Sequence, residues 1–254
     1  MIHKYPYIIG EAGSCHEGSL KNALELVGVA KDAGCNAVKF QYWSSPTRMC
    51  ERRHVTGAYE QGSVKESWLP LIRDEAHSCK LDFICSVYLP EDIPTLAPHV
   101  DGWKISSFEA GDEDLVGLVT LAAYQHSRLF ISTGMGYIGT LPTLATLLHC
   151  VSAYPCPVDQ ANLGAIYGAH DGYSDHTRCV LTGGFAVSAG ADYLEVHFRL
   201  DETSETCPDH CVSLTPNELR QYVVMAHTAM QMRGSGVKVV QEAEKENLAY
   251  RVVV

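Results

Sequence analysis

Eight short apolar runs, each followed by a longer mixed stretch, limit the fold of this 254-residue chain more than any other feature. The runs read as strands at Tyr7–Glu11, Ala37–Gln41, Phe83–Val87, Trp103–Ser106, Leu129–Thr133, Leu147–Ser152, Asp171–Ser174 and Tyr193–Phe198. Between the first two, Lys21–Ala33 carries apolar residues at helical spacing, and Gly34 provides a C-terminal stop. Helical patterning recurs at Trp68–Cys79, Leu115–Tyr124, Cys179–Ala189 and Pro216–Met232. Strand followed by helix, eight times over roughly 230 residues, predicts an α/β fold of the (β/α)8 TIM-barrel type. The alternative, a doubly wound open sheet, usually carries a glycine-rich dinucleotide loop after its first strand. Here that turn is Gly13-Ser14-Cys15-His16-Glu17-Gly18, a different pattern. The barrel is the expectation.

Its wall is uneven. Between Thr133 and Leu147 there is room only for a turn or one short helix, and Asn162–Gly168 is scarcely longer. Shortened fifth and sixth helices are therefore expected, with apolar wall left bare beside them. Tyr42–Ser67 is a long polar loop after the second strand, and long βα loops tend to carry function. The segment after Gly234 reads as a solvated helix, and residues 1–254 read as one barrel domain.

Composition removes other classes. At 46% hydrophobic and 19% charged residues, the chain is neither disordered nor fibrous. No apolar run nears the ~20 residues of a membrane span, so no membrane partner is expected. The N-terminus lacks a signal-peptide core, which predicts a cytoplasmic protein. Nineteen Lys and Arg against thirty Asp and Glu give a net charge of −11 with no basic stripe, which argues against nucleic acid. Most of the ten cysteines lie in apolar runs, as buried thiols would.

Barrel active sites lie at the C-terminal ends of the strands. Those ends carry Glu11; Lys39 and Gln41; Ser86; Lys104 and Ser107; Ser132; Ser152 and Tyr154; Ser174 and His176; and Glu195 and His197. Residues two apart share a strand face, so Lys39 pairs with Gln41 and Glu195 with His197. Polar groups gathered at one end of all eight strands point to an enzyme. Lys39, Ser86, Lys104, Ser107 and Ser132, on neighbouring strands, suit a small polyanion such as a phosphorylated acid. The bland alternative is two lysines snorkelling to solvent. His176 and His197 end adjacent strands ~4.8 Å apart and can share one divalent metal. Barrel closure sets Glu11 beside His197, as a candidate general acid/base. Cys207-Pro208-Asp209-His210-Cys211 lacks a second pair of cysteines for a zinc knuckle, and nothing marks Cys15 as an activated nucleophile. Trp43 and Trp68 read as core or interface residues.

These strand-end motifs resemble those of the sialic acid synthase family. The matching stretches run in the family's order. They are Ile8-Ile9-Gly10-Glu11-Ala12-Gly13, Val38-Lys39-Phe40-Gln41, Trp103-Lys104-Ile105-Ser106-Ser107, Ser132-Thr133-Gly134-Met135 and Leu147-Leu148-His149-Cys150. Ser152-Ala153-Tyr154-Pro155, Gly172-Tyr173-Ser174-Asp175-His176, Glu195-Val196-His197-Phe198 and Pro208-Asp209-His210 complete the set. The resemblance implies a divalent metal, Mn2+ or Mg2+, on His176 and His197. It implies phosphoenolpyruvate on Lys39, Ser86, Lys104, Ser107, Ser132, Ser152 and Ser174. Gln41, Tyr154 and Asp209 would face the sugar, with Glu11 as catalytic acid/base.

There are departures. Cys15 stands where the family usually has Asn, and Ser152 where Asn is common. Family synthases also carry a C-terminal antifreeze-like domain that lends an arginine to a partner's site, and this chain ends about where the linker would begin. The implied reaction condenses phosphoenolpyruvate with an aldose or N-acyl amino sugar such as N-acetylmannosamine, giving a 2-keto-3-deoxy sugar acid and phosphate. The rivals are a pyruvate-type aldolase and a non-catalytic barrel that binds a sugar or partner. The bare wall predicts a homodimer or higher homo-oligomer.

Overall fold

The computed structural model describes residues 5–54, 60–124, 127–137 and 139–252. Residues 55–59 of the long Tyr42–Ser67 segment, and residue 138 between the fifth and sixth strands, lie outside the described residues. Eight parallel strands close into a barrel in sequence order: β1 (Tyr7–Glu11), β2 (Ala37–Tyr42), β3 (Asp82–Val87), β4 (Gly102–Ile105), β5 (Arg128–Thr133), β6 (Thr146–His149), β7 (Gly172–Asp175) and β8 (Tyr193–His197). The (β/α)8 reading holds.

Helices α1 (Leu20–Ala33), α2 (Pro46–Arg53), α3 (Leu69–Ser78), α4 (Ile93–Leu96), α5 (Glu113–Ala123), α6 (Thr182–Ser188) and α7 (Pro216–Arg233) cover the strands. Their ends are set locally. Ser19 caps α1 by accepting from the Asn22 N–H, and Gly34 ends it at φ 90°. Thr215 and Glu218 form a reciprocal capping box on α7, with Pro216 in its first turn. Among the described residues, none of these helices is long and apolar enough to cross a membrane.

No helix follows β5 among the described residues, and only two 3-10 turns, Val158–Gln160 and Leu163–Ile166, follow β6. The fifth helix is thus missing among the described residues and not merely short, the sixth is reduced to 3-10 turns, and the bare wall expected beside them is not found. Leu129 and Ile131 on β5 are buried within the outer apolar cluster, to which Ile166 also belongs and against which Tyr137, Leu141 and Leu163 pack from the irregular segments. Each buried side chain of this size stabilises by about 1.5–3 kcal/mol, which is reason enough for the loops to fold down. The exposed apolar residues there are instead on the covering segments: Met135, Leu144, Val158 and Tyr167. A second difference is at β6, which ends at His149 and pairs with β7 through only two residues. Beyond it the chain turns tightly, with the Ala153 N–H donating to the Val151 carbonyl. Ser152 therefore sits in a loop and not on a strand. The segment Glu242–Tyr250 is an exposed 3-10 helix, in keeping with the solvated helix expected there.

The barrel interior is layered. Inward residues of one layer, Ile9, Ala37, Ile84, Phe130 and Leu148, form an apolar plug with Tyr7 and Tyr193 against it. Two residues further along the strands, the same inward face carries Glu11, Lys39, Ser86, Lys104, Ser132, Ser174 and Glu195. Register locks that upper layer together, pairing Glu11 with both Lys39 and His197, Ser86 with Lys104, and Ser174 with Glu195.

Candidate active site

Above the plug, at the C-terminal ends of the strands, opens a cavity of about 200 Å³. Its walls bring together Glu11, Lys39, Gln41, Ser86, Lys104, Ser107, Ser132, Tyr154, Ser174, His176, His197 and Asp209. Of the residues singled out from the sequence, Ser152 alone is missing from these walls. Its hydroxyl instead meets that of Ser107 at 2.7 Å, so it acts on the cavity through Ser107. The approach is close enough to require glycine at position 134, where an added Cβ would fall 2.2 Å from Ser152 Oγ.

Lys39 is the electrostatic hub. Its Nζ lies 2.9 Å from Glu11 Oε2 and 3.9 Å from Glu195 Oε2, and it donates to Ser86 Oγ at 2.8 Å. Burial works against its charge, yet the facing Glu11 and Glu195 carboxylates outweigh burial and raise its pKa. Gln41 Nε2 donates to Glu11 Oε1 at 2.8 Å, so both carboxylate oxygens of Glu11 are oriented. Lys104 is held differently. Its Nζ donates to the Ile105 carbonyl at 2.9 Å, and it makes no ion pair within 4 Å among the described residues. Burial is the main cause of its lowered pKa. A fully buried ammonium without a close carboxylate is a ready partner for an incoming anion. Ser174 Oγ donates to Glu195 Oε1 at 2.9 Å, and burial of Glu195 is overridden by Lys104 and Lys39, which hold its pKa down.

Across the cavity, the His176 and His197 rings lie 5.6 Å apart, centroid to centroid, with the Tyr154 ring 4.2 Å from that of His176. His176 Nδ1 lies 2.7 Å from the Val151 carbonyl, a contact in which the ring nitrogen must donate, leaving Nε2 with its lone pair free. Burial, then the neighbouring His197, push the His176 pKa down to about 3, so the ring is neutral. His197 Nδ1 is buried without a hydrogen-bond partner among the described residues. Two imidazoles at this separation, one with an orphaned nitrogen, fit the donor set of a divalent ion. Among the described residues no group of three or more His, Cys, Asp and Glu side chains is arranged to hold a metal, so further ligand positions would fall to water or substrate.

Asp209 reaches the rim from the loop after β8. The Ser14 N–H and hydroxyl both donate to its Oδ2 at 2.7 Å. Gly13, at φ +50°, makes room for it, since a Cβ there would come within 2.4 Å of that oxygen. All ten cysteines are free. Cys15, hydrogen-bonded to Cys207 and buried, has its thiol pKa pushed up, which agrees with its reading as no activated nucleophile.

Sequence reasoning missed Arg53, Tyr88 and Phe108 as cavity residues, and placed Glu195 at a strand end beside His197 without giving it a role. Arg53 ends α2, inside the long loop already marked as functional, and the Arg52-Arg53 doublet was the available signal.

The NeuB family model matches residues 26–238. An N,N'-diacetyllegionaminic acid synthase of Legionella pneumophila is 31% identical over 91% of this chain and 74% of its own length. A synthase of the same name from Campylobacter jejuni is 28% identical over 96% and 82%. The crystal structure of an N-acetylneuraminic acid (sialic acid) synthetase from Leptospira borgpetersenii, in complex with citrate, superposes with a TM-score of 0.87 at 27% identity, covering 97% of this chain and 91% of that one. With the barrel, the strand-end residues and a family match over most of its length in agreement, the chain belongs to the NeuB family.

Proposed function

We propose that this protein condenses phosphoenolpyruvate with the aldehyde of an aldose or N-acyl amino sugar, forming a 2-keto-3-deoxy sugar acid and releasing phosphate. The observation that carries this reading is the division of the cavity. One wall offers Lys104, Lys39 and serine hydroxyls to a polyanion, and Glu11 stands between that wall and the histidine pair. Phosphoenolpyruvate brings its charge to Lys104, whose buried ammonium lacks a close counter-ion, and to Ser86, Ser107, Ser132 and Ser174. Ser152 steadies Ser107 from behind.

His176 and His197 would hold a divalent ion, Mn2+ or Mg2+, which when bound supplies Lewis-acid polarisation of the acceptor's carbonyl oxygen. Tyr154, Gln41 and Asp209 position the sugar. C3 of phosphoenolpyruvate forms a bond to the aldehyde carbon as its double bond opens, and water adds at C2. The resulting tetrahedral carbon expels phosphate and becomes the ketone. Glu11, gripped by Lys39 and Gln41, takes the proton from the attacking water and returns it to the new alkoxide. Lys39 fixes the Glu11 carboxylate in place through direct charge contact.

A phosphate-release assay with manganese, phosphoenolpyruvate and a panel of aldoses and N-acyl amino sugars tests the proposal. Phosphate is expected with at least one acceptor and none with pyruvate in place of phosphoenolpyruvate. Turnover on pyruvate alone would convert the assignment to an aldolase, and ligand retention without turnover would make the barrel a binding protein.

Assembly follows from the surface beside β5 and β6. Met135, Val158 and Tyr167 are each more than 60% exposed there. We propose that this face joins two copies in a closed, symmetric homodimer. Light scattering at micromolar concentration is expected to give twice the chain mass, and a monodisperse monomer would refute it.

A further inference from the structure

Arg53 has no role in the chemistry above, yet it lines the same cavity. It comes from the last turn of α2, and three contacts fix its guanidinium. Its Nη2 lies 2.8 Å from Glu109 Oε1 and 3.0 Å from Oε2, and Glu109 is almost fully buried. Its Cζ sits 4.3 Å above the Phe108 ring and 5.9 Å from that of Tyr88. A group held this firmly is preorganised. One buried donor is nevertheless unmet, for Arg53 Nε has no hydrogen-bond partner among the described residues. A buried orphan donor costs free energy until an acceptor reaches it.

Two further features give the chemistry of that acceptor. Phe108 and Tyr154 both line the cavity yet remain 45% and 41% exposed, with their rings nearly parallel at 6.5 Å between centroids. They form an apolar face at the mouth, beside the orphan N–H. The charge of Arg53 is already met by Glu109, and that of neighbouring Arg52 by Asp112, with Glu109 4.0 Å away. Two guanidiniums stand against two carboxylates. An added phosphate dianion would find no unmatched cation here, whereas a neutral carbonyl oxygen with a small apolar substituent would satisfy both the N–H and the rings.

We infer that Arg53, held by Glu109 and Phe108, is the specificity-determining residue for the acceptor and reads a neutral acylamino substituent. Its Nε–H donates to the amide carbonyl, while the acyl methyl packs on Phe108 and Tyr154. The inference rests on the condensation proposed above.

The test compares N-acetylmannosamine with mannose as acceptors, by phosphate release at saturating phosphoenolpyruvate. The wild-type enzyme is expected to prefer the acetylated sugar in kcat/KM. Arg53→Lys keeps the charge but loses the fixed N–H, and is expected to cut that preference about tenfold, chiefly through acceptor KM. Arg53→Met alone strands the buried Glu109 carboxylate, so Arg53→Met with Glu109→Gln serves as the second, charge-balanced variant and is expected to lose the preference equally. An unchanged ratio in both variants, or a rise in KM for phosphoenolpyruvate matching that for the acceptor, would overturn the assignment. Absence of phosphate release by the wild type with either sugar and with every other acceptor in the panel would sink the condensation itself, a different result.

Discussion

Replacing Lys39 by Met is expected to cost about 3–5 kcal/mol of folding stability, beyond any effect on turnover, because it leaves buried charge without its partner. Glu11 is 1% exposed and Glu195 4%, and Lys39 Nζ stands between them at 2.9 and 3.9 Å. Methionine matches the length of the side chain but supplies no positive charge. Among the described residues Glu11 would keep the Gln41 hydrogen bond but no ion pair, and Glu195 the Ser174 hydrogen bond with Lys104 and His197 nearby. Glu11→Gln should be milder, since Lys39 then retains Glu195 and Ser86. Urea unfolding of the three proteins measures this directly. A Lys39→Met midpoint indistinguishable from wild type would mean that water reaches this layer and screens the carboxylates.

Loss of either histidine is expected to remove both the metal and the reaction while leaving the barrel folded. Under the proposed function, His176→Ala or His197→Ala should lower turnover more than about 100-fold, the upper end of what disturbing even an outer partner of a metal ligand costs. Both rings lie at the mouth end of the strands, above the apolar plug of Ile9, Ala37, Ile84, Phe130 and Leu148, so far-ultraviolet circular dichroism should be unaltered. Metal content of the purified variants, measured by elemental analysis after dialysis against manganese, is the decisive readout. Unaltered stoichiometry in either variant would place the ligands elsewhere.

The barrel was legible because its period is short and repeated. Apolar strand runs announce themselves, and residues two apart must share a face, which puts Lys39 with Gln41 and Glu195 with His197 from the pattern alone. Closure then followed from counting, and with it the meeting of Glu11 and His197. What the pattern could not carry was anything decided by contact between loops. Arg53 enters the cavity because Glu109 and Phe108, over fifty residues away in sequence, hold it there. Ser152 looked like a strand end, but β6 stops three residues earlier where its pairing with β7 runs out. The packing of Tyr137, Leu141, Leu163 and Ile166 into the outer apolar cluster was equally invisible, since irregular segments have no period to read. The four-residue α4 was missed for the same reason.

The apolar plug turns the barrel into a cul-de-sac. Tyr7, Phe130 and Tyr193 crowd together at its closed end, with ring centroids about 6 Å apart, and the half-exposed rings of Tyr154 and Phe108 line the cavity at its other end. A molecule seated against Lys104 has to cross the mouth first, and a second one lodged at the mouth then shuts it in. Under the proposed function this sets an order: phosphoenolpyruvate at Lys104 is expected to enter first, the acceptor at the mouth second, and departure to run in reverse.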